Sequence, residues 1–405
     1  MTTSRIAVIG AGPVGLALAL HARSLLPQAR LTVYDARPPE RDVAGDARTL
    51  ALSLGSLMFL ERLGLWPGEL ARRAAPIAEV HVSQTPAAFL GARAQPEVTL
   101  SARELGVPQL GAVLGYGALL APMQQAWFEA VAAEPRRLEA RFGRPVAALK
   151  PVAGGVEVDA GVAETFDLAV VAEGGVFAEQ ARKALARDYG QTAWVGEVTL
   201  AGGTAGVAFE RFTPDGPLAL LPLPPLASRD GDGEATQDLR AALVWCAAKD
   251  ADAMAALDDA QRAAVLASLL PTRAGRVRAV SPLRAFALGL NAERTLVHGR
   301  VVRIGNAAQT LHPVAGQGLN LGLRDAHALV AALREGDNLD AALRRVEWSR
   351  APDRWGTIAV TDFLARSFTW HGPGVAALRG LGLAALQRLA PAKALLARRL
   401  MYGWR

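Results

Sequence analysis

The run from Arg5 to Asp35 limits the fold more than any other stretch of the chain. A short apolar strand, Arg5–Ile9, is followed at once by Gly10-Ala11-Gly12-Pro13-Val14-Gly15, an apolar helix and a second strand ending on Asp35. The three glycines of such a turn have separate tasks. Gly10 makes the turn, Gly12 leaves room for a pyrophosphate, and Gly15 lets helix and strand pack closely. The turn opens onto a helix N-terminus, where free N–H groups and the dipole favour an anion. Asp35, about 20 residues beyond Gly15, is placed to accept hydrogen bonds from a ribose diol. Arg37, after Ala36, would suit a 2′-phosphate, but the acid at 35 repels one. The bound end is therefore read as an unphosphorylated adenosine. Strand, glycine turn, helix, strand and acid in this order predict an α/β, Rossmann-like domain with a parallel sheet that binds a dinucleotide.

A second constrained stretch is RIGNAAQTLHPVAGQGLNLGLRD, from Arg303 to Asp325. An apolar strand over residues 296–304 ends at Gly305-Asn306, and a turn-rich segment from His312 to Gly318 follows. A helical pattern then begins near Asn320 and carries Leu321, Leu323, Ala326, Leu329 and Val330. Glycines at 316 and 318 let a flat ligand approach the backbone. The following helix N-terminus suits a ligand that gains negative charge. Taken alone, Gly-x-Gly is better read as a buried loop before a core helix.

Together the two ends resemble the flavoprotein aromatic hydroxylases, and within them the monooxygenases of ubiquinone biosynthesis. Gly305-Asn306, Leu311-His312-Pro313, Gly316-Gln317-Gly318 and Asn320 match the family's late motif residue by residue. Gly45 to Ser53 and the middle stretch Glu210 to Pro222 are also similar to it. The resemblance implies FAD as cofactor. Its adenosine half would lie at Gly10, Gly12, Pro13, Val14, Gly15, Asp35, Ala36 and Arg37. Its ribityl chain and ring would lie at Gly305, Asn306, Pro313, Gly316, Gln317, Gly318, Leu319 and Asn320. Arg48 would lie beside flavin and substrate, and Arg48 and Gln317 are the side chains expected in the catalytic environment. One departure stands out. The family shows Ala-Asp-Gly where this chain has Ala172-Glu173-Gly174-Gly175, so Glu173 is the candidate substitute for that aspartate. The activity implied is ring hydroxylation of a polyprenylated phenol with NAD(P)H and dioxygen, through a flavin C4a-hydroperoxide. A hydroxylase of a soluble phenol or polyketide, and a non-catalytic flavin-fold subunit that binds lipid or partners, are the alternatives.

Composition bounds the rest. With 405 residues, 51% hydrophobic and 20% charged, the chain is long and apolar enough for two interleaved cores. Residues 1–78, 101–175 and 286–340 are assigned to the dinucleotide domain. Residues 79–100 and 176–285 are assigned to a mostly antiparallel β-sheet substrate domain, and 341–405 to a C-terminal helical tail. Helices are expected over 53–65, 121–133 and 258–270, and a hairpin tip over 228–238. A lone Cys246 excludes an intramolecular disulfide and fits a reducing compartment. A net charge of +6 is too modest and dispersed for nucleic acid, though it suits weak attraction to an anionic membrane surface. No run reaches the ~20 apolar residues of a membrane span, and the early first strand leaves no room for a signal peptide. A cytoplasmic protein is expected, with peripheral contact at the inner membrane as an option. Arg344, Arg345, Arg350 and Arg354 read mainly as a solvated face. The leucine-rich basic tail over 375–405, broken at Pro391, reads as a helix pair that packs on its own body, on another subunit or on a membrane surface. His312 reads as a turn residue rather than a base. No metal-ligand spacing appears.

Overall fold

The computed structural model describes residues 4–85, 96–173, 183–225, 238–336, 338–367 and 374–403. The Arg5–Ile9 strand is buried along all but its first residue, as a parallel strand covered on both faces must be. It lies inside a six-stranded sheet ordered Val297–His298, Val301–Arg303, Leu168–Val171, Arg5–Ile9, Arg30–Asp35, Leu138–Phe142. All neighbours run parallel except the outermost pair. Helices Pro13–Leu25, Tyr116–Ala133 and Gln317–Glu335 bury their apolar stripes on one face. A small antiparallel sheet carrying Val156, Val158 and Phe166 covers the other.

The second, nine-stranded sheet follows the order Gln309–Thr310, Arg284–Glu293, Lys183–Ala201, Leu239–Ala248, Gly216–Leu223, Val207–Thr213, Glu79–Gln84, Glu97–Ser101, with Arg276–Val280 also on Lys183–Ala201. Its pairs are antiparallel except Glu79–Gln84 against Val207–Thr213. Side chains alternate between the two faces. Phe209, Leu218, Leu220, Leu243 and Trp245 form one core with Leu266 of helix Asp259–Leu269. The opposite face turns Val80, Val82, Ala208 and Phe212 toward the dinucleotide side, where they meet Leu54 and Val314.

Several expectations need correction. The helix after the late motif starts at Gln317, earlier than Asn320, because Gly316 turns left-handed (φ 58°) and serves as its N-cap. Helix Tyr116–Ala133 begins before residue 121 and carries Pro122 inside it. Helix Leu54–Arg62 takes Ser53 as its cap, with Ser56 N–H donating to the serine hydroxyl. Arg344 and Arg345 are exposed, but Arg350 and Arg354 are not a solvated face. They are 7% and 1% exposed. Arg350 pairs with Asp325 at 2.8 Å and Asp353 at 2.7 Å, and Arg354 donates to Gln309 at 2.7 Å. A charge buried this deeply is kept only when paired; the Arg350–Asp325 pair bolts helix Leu339–Ser367 to the motif helix, and Arg354 ties it to strand Gln309–Thr310. The tail forms Val375–Arg388 and Ala390–Tyr402, with Pro391 in the first turn of the second helix. Leu383, Leu386, Ala397 and Met401 join the core, while Leu378, Leu381, Leu389 and Leu395 are exposed. No helix among the described residues is long and apolar enough to cross a membrane. Residues 228–237 of the expected hairpin tip, and Gly174 and Gly175, lie outside the described residues.

Candidate functional site

The two glycine motifs meet where two helices begin. Gly15 is fixed by the fold, since a Cβ there would lie 1.9 Å from the Gly10 carbonyl oxygen. Gly10 has φ 101°. Gly305 has φ 59°, and a Cβ on Gly322 would stand 2.8 Å from both Gly305 and Val14. Val14 thereby locks the first motif to the second. Gly12 and Gly318 are different. A Cβ on Gly12 would meet only the Tyr116 hydroxyl, at 3.6 Å, and one on Gly318 would meet nothing within 4 Å. No protein atom requires glycine at either position, so the open space beside them is available to a ligand.

Around the first motif, the Asp35 carboxylate accepts from Ala11 N–H at 2.7 Å and from Arg37 through its backbone N–H, Nε and Nη2 at 2.8 Å each. Burial alone would raise Asp35, but these bonds and the Arg37 charge hold it below the usual carboxylate range. A carboxylate offers about four lone-pair sites, and all are taken. The ribose contact expected of Asp35 therefore requires Arg37 to turn away. Ala36 is exposed and Pro13 is buried in the first turn of its helix. Glu173 lies against Gly10, its Cβ 2.9 Å from where a Gly10 Cβ would stand. Burial raises its pKa, the Asp35 charge raises it further, and Arg37 offsets part of this. Arg48 pairs with Asp46 at 2.7 Å and stacks on the Tyr116 ring at 4.1 Å, with its side chain 65% exposed. The structure thus brings Arg48 to the first motif through Tyr116, a residue that sequence reasoning passed over.

In the late motif, His312 is 1% exposed. Its Nδ1 accepts Val314 N–H at 3.1 Å, which leaves Nε2–H to donate to Gln191 Oε1 at 2.9 Å. Burial pushes His312 down to about 4, so the ring is a neutral brace of the turn. Ala315 and Gly316 follow in left-handed conformation, at φ 63° and 58°. A non-glycine residue at positive φ is strained and persists because its surroundings hold it. Gln317 opens the helix and donates to Ala315 O at 3.2 Å. Asn320 uses its whole carboxamide on the protein. It accepts from Ser53 N–H and the Ser56 hydroxyl at 2.8 and 2.7 Å, and donates to Ala51 O and Gly316 O at 3.0 and 2.8 Å. Its side chain shapes the loop from behind. Leu319 packs on the core and Asn306 is exposed. Pro313 sets the φ of −65° from which the turn starts. The serines that hold Asn320 had a sequence signal, a cap before an apolar helix, but nothing in sequence linked them to position 320.

Open space at Gly12 and Gly318, flanked by two helix N-termini, fits the phosphates and the ring of a flavin dinucleotide. Comparison with known proteins supports FAD as the cofactor. A family profile described as an FAD binding domain matches residues 234–347. The chain is 31% identical to ubiquinone hydroxylase UbiL of Rhodospirillum rubrum, over 98% of this chain and 89% of that protein. It is 29% identical to 3-demethoxyubiquinol 3-hydroxylase of Escherichia coli, over 95% of each. Klebsiella pneumoniae HpxO, complexed with FAD and uric acid, has a TM-score of 0.71 at 17% identity, covering 99% of this chain and 97% of that one. The p-nitrophenol 4-monooxygenase PnpA of Pseudomonas putida has a TM-score of 0.68 at 15% identity, over 100% of both chains. The solved structures share the fold, and the relatives fix the family: this chain belongs to the FAD-dependent monooxygenases of ubiquinone biosynthesis.

Proposed function

We propose that the chain hydroxylates the ring of a polyprenylated phenol, using NAD(P)H and dioxygen. The observation that supports this reading best is an apolar groove of about 270 Å³ between helices Leu339–Ser367 and Ala390–Tyr402. Val360, Leu395, Leu396 and Leu400 form its walls, and Ala315 and Gln317 of the late motif lie at its inner end. A second cavity of about 130 Å³ lies against the same loop and is lined by Ile77, Val80 and Leu100. An isoprenoid tail needs only apolar surface, at ~25 cal/mol per Å² buried, and a groove ending at the flavin loop would hold a tail whose ring reaches the cofactor.

In this reading Gly10 to Gly15 and Asp35 hold the adenosine half of FAD, once Arg37 turns away from the carboxylate. Gly305 and Ala315 to Asn320 hold the rest. The bound flavin supplies electron transfer and oxygen chemistry. The chain's own residues position it, exclude water, and place the N-terminus of helix Gln317–Glu335 at the ring, where negative charge is stabilised. Glu173 stands in for the family's aspartate near the first motif, and Arg48 borders the same end of the cofactor. The test is a series of phenols with shortened prenyl chains. KM should rise steeply as units are removed, with product coupled to NAD(P)H consumption. Hydroxybenzoate turned over as well as the prenylated phenol would overturn the reading in favour of a soluble-phenol hydroxylase.

A further inference from the structure

Glu210 lies mid-strand in Val207–Thr213, with Val82 as its register partner on one side and Ala219 on the other. Alternation puts it on the face shared by Ala208 and Phe212. That face is turned to the flavin side. Ala208 belongs to the core that includes Leu54 and Met401, and Phe212 packs with Val314 of the late motif and with Val82. The carboxyl is out of place in such company. Its Oε1 is sealed from solvent and has no hydrogen-bond partner, while the residue as a whole keeps partial exposure.

Among the described residues no cation compensates Glu210. Burial alone pushes it up to about 8. The titratable neighbour it acts on is Cys246, a thiol that burial raises and the Glu210 charge raises further. A buried polar group without a partner costs the fold free energy, and this apolar face would accommodate a leucine in its place. A neutral carboxyl both donates and accepts a hydrogen bond, which matches a phenolic hydroxyl.

We propose that Glu210 is the specificity-determining residue that receives the ring hydroxyl of the aromatic substrate, on the sheet face opposite the late-motif loop. The assignment rests on the ring-hydroxylase reading above. A site built to bond a hydroxyl rejects an analogue that cannot reproduce the bond, because its own polar group is left unpaired.

The experiment compares the FAD-loaded wild type with Glu210→Leu and Glu210→Gln, using a prenylated phenol and its O-methyl ether as probes. Wild type should favour the phenol by about tenfold or more in KM and in perturbation of the flavin spectrum. Glu210→Leu should lose that preference, mainly through KM, while keeping full flavin content and raising the thermal midpoint. Glu210→Gln, which keeps a donor and an acceptor, should retain part of the preference. A lower midpoint with unchanged phenol preference in Glu210→Leu would make Glu210 structural and overturn the assignment. If the leucine variant does not fold, an unaltered preference and unaltered KM in Glu210→Gln overturns it equally. Wild type that leaves the prenylated phenol untouched overturns the function reading itself, and this contact with it.

Discussion

Arg37 grips both oxygens of Asp35 from two residues away, Nε on Oδ1 and Nη2 on Oδ2, each at 2.8 Å. The acid expected at the ribose is thus capped by its own neighbour, and a ribose contact there must exchange one partner for the other. Arg37→Met should leave the FAD content of the purified protein intact and speed FAD binding to apoprotein in stopped-flow fluorescence. Slower uptake would mean that Arg37 itself holds the cofactor.

The glycines separate into two classes. Gly15→Ala places a methyl 1.9 Å from a backbone oxygen and should prevent folding. Gly318→Ala meets no protein atom within 4 Å, and replacing a helical glycine typically stabilises by about 0.5–1 kcal/mol. The Gly318 variant should therefore melt higher as apoprotein yet bind FAD more weakly. Gly12→Val should fold and be colourless. Full FAD recovery from Gly12→Val, or from Gly318→Val, would show that the space beside that glycine serves no cofactor.

His312 and His21 are both pushed from 6.5 down to about 4, each chiefly by burial, with His327 and two arginines adding to the effect at His21. Both are neutral in the fold and gain a proton more readily when unfolded. Stability is complete above about pH 6.5 and should fall as pH drops toward 4, by up to a few kcal/mol for the pair. His21→Gln should flatten part of that slope in urea melts taken across the window. An unchanged slope in the double variant with His312→Gln would assign the acid loss to other groups.

Glu173→Ala should slow reduction of bound flavin by NAD(P)H while leaving FAD content largely unchanged, since the side chain borders Gly10 and Asp35 without holding either. Unaltered single-turnover reduction would return Glu173 to the status of a loop residue.

Truncating the tail is a poor test of surface contact, because Ala397 and Met401 are buried in the core with Leu54. Leu378→Glu with Leu381→Glu is better, since those side chains are 71% and 68% exposed. This double variant should keep its melting temperature and lose sedimentation with anionic vesicles. Vesicle binding equal to wild type would turn attention to other surfaces.

How much of this was legible in the sequence depended on range. Gly10, Gly12, Gly15 and Asp35 sit within one strand–helix–strand unit, so local spacing carried them. The late motif was readable for the same reason. What escaped was everything set by distant pairing. Asn320 serves Ser53 and Ser56, Tyr116 carries Arg48 to Gly12, and Arg350 and Arg354 look like surface charges until helix Leu339–Ser367 docks on Asp325 and Gln309. Glu210 carries no local signal beyond its place in a family-like stretch. Its isolation became visible once Val82 and Ala219 flanked it.

The single parallel pairing in the large sheet, Glu79–Gln84 beside Val207–Thr213, has a consequence for how the protein is made. An early strand must wait for one synthesised more than a hundred residues later, at roughly 5–20 residues per second on the ribosome. Until then only one edge of this strand is paired, Val80 with Leu100 and Val82 with Val98, and the parallel sheet is equally incomplete until Val301–Arg303 arrives to flank Leu168–Val171. Closing such distant pairs is slow because loop entropy is lost before the contacts form. The nascent chain should therefore depend on chaperone shelter through most of its synthesis. In the proposed site the two half-sites are joined only when residues 305–320 meet residues 10–15, so FAD would bind the finished protein and act as a late lock on its assembly.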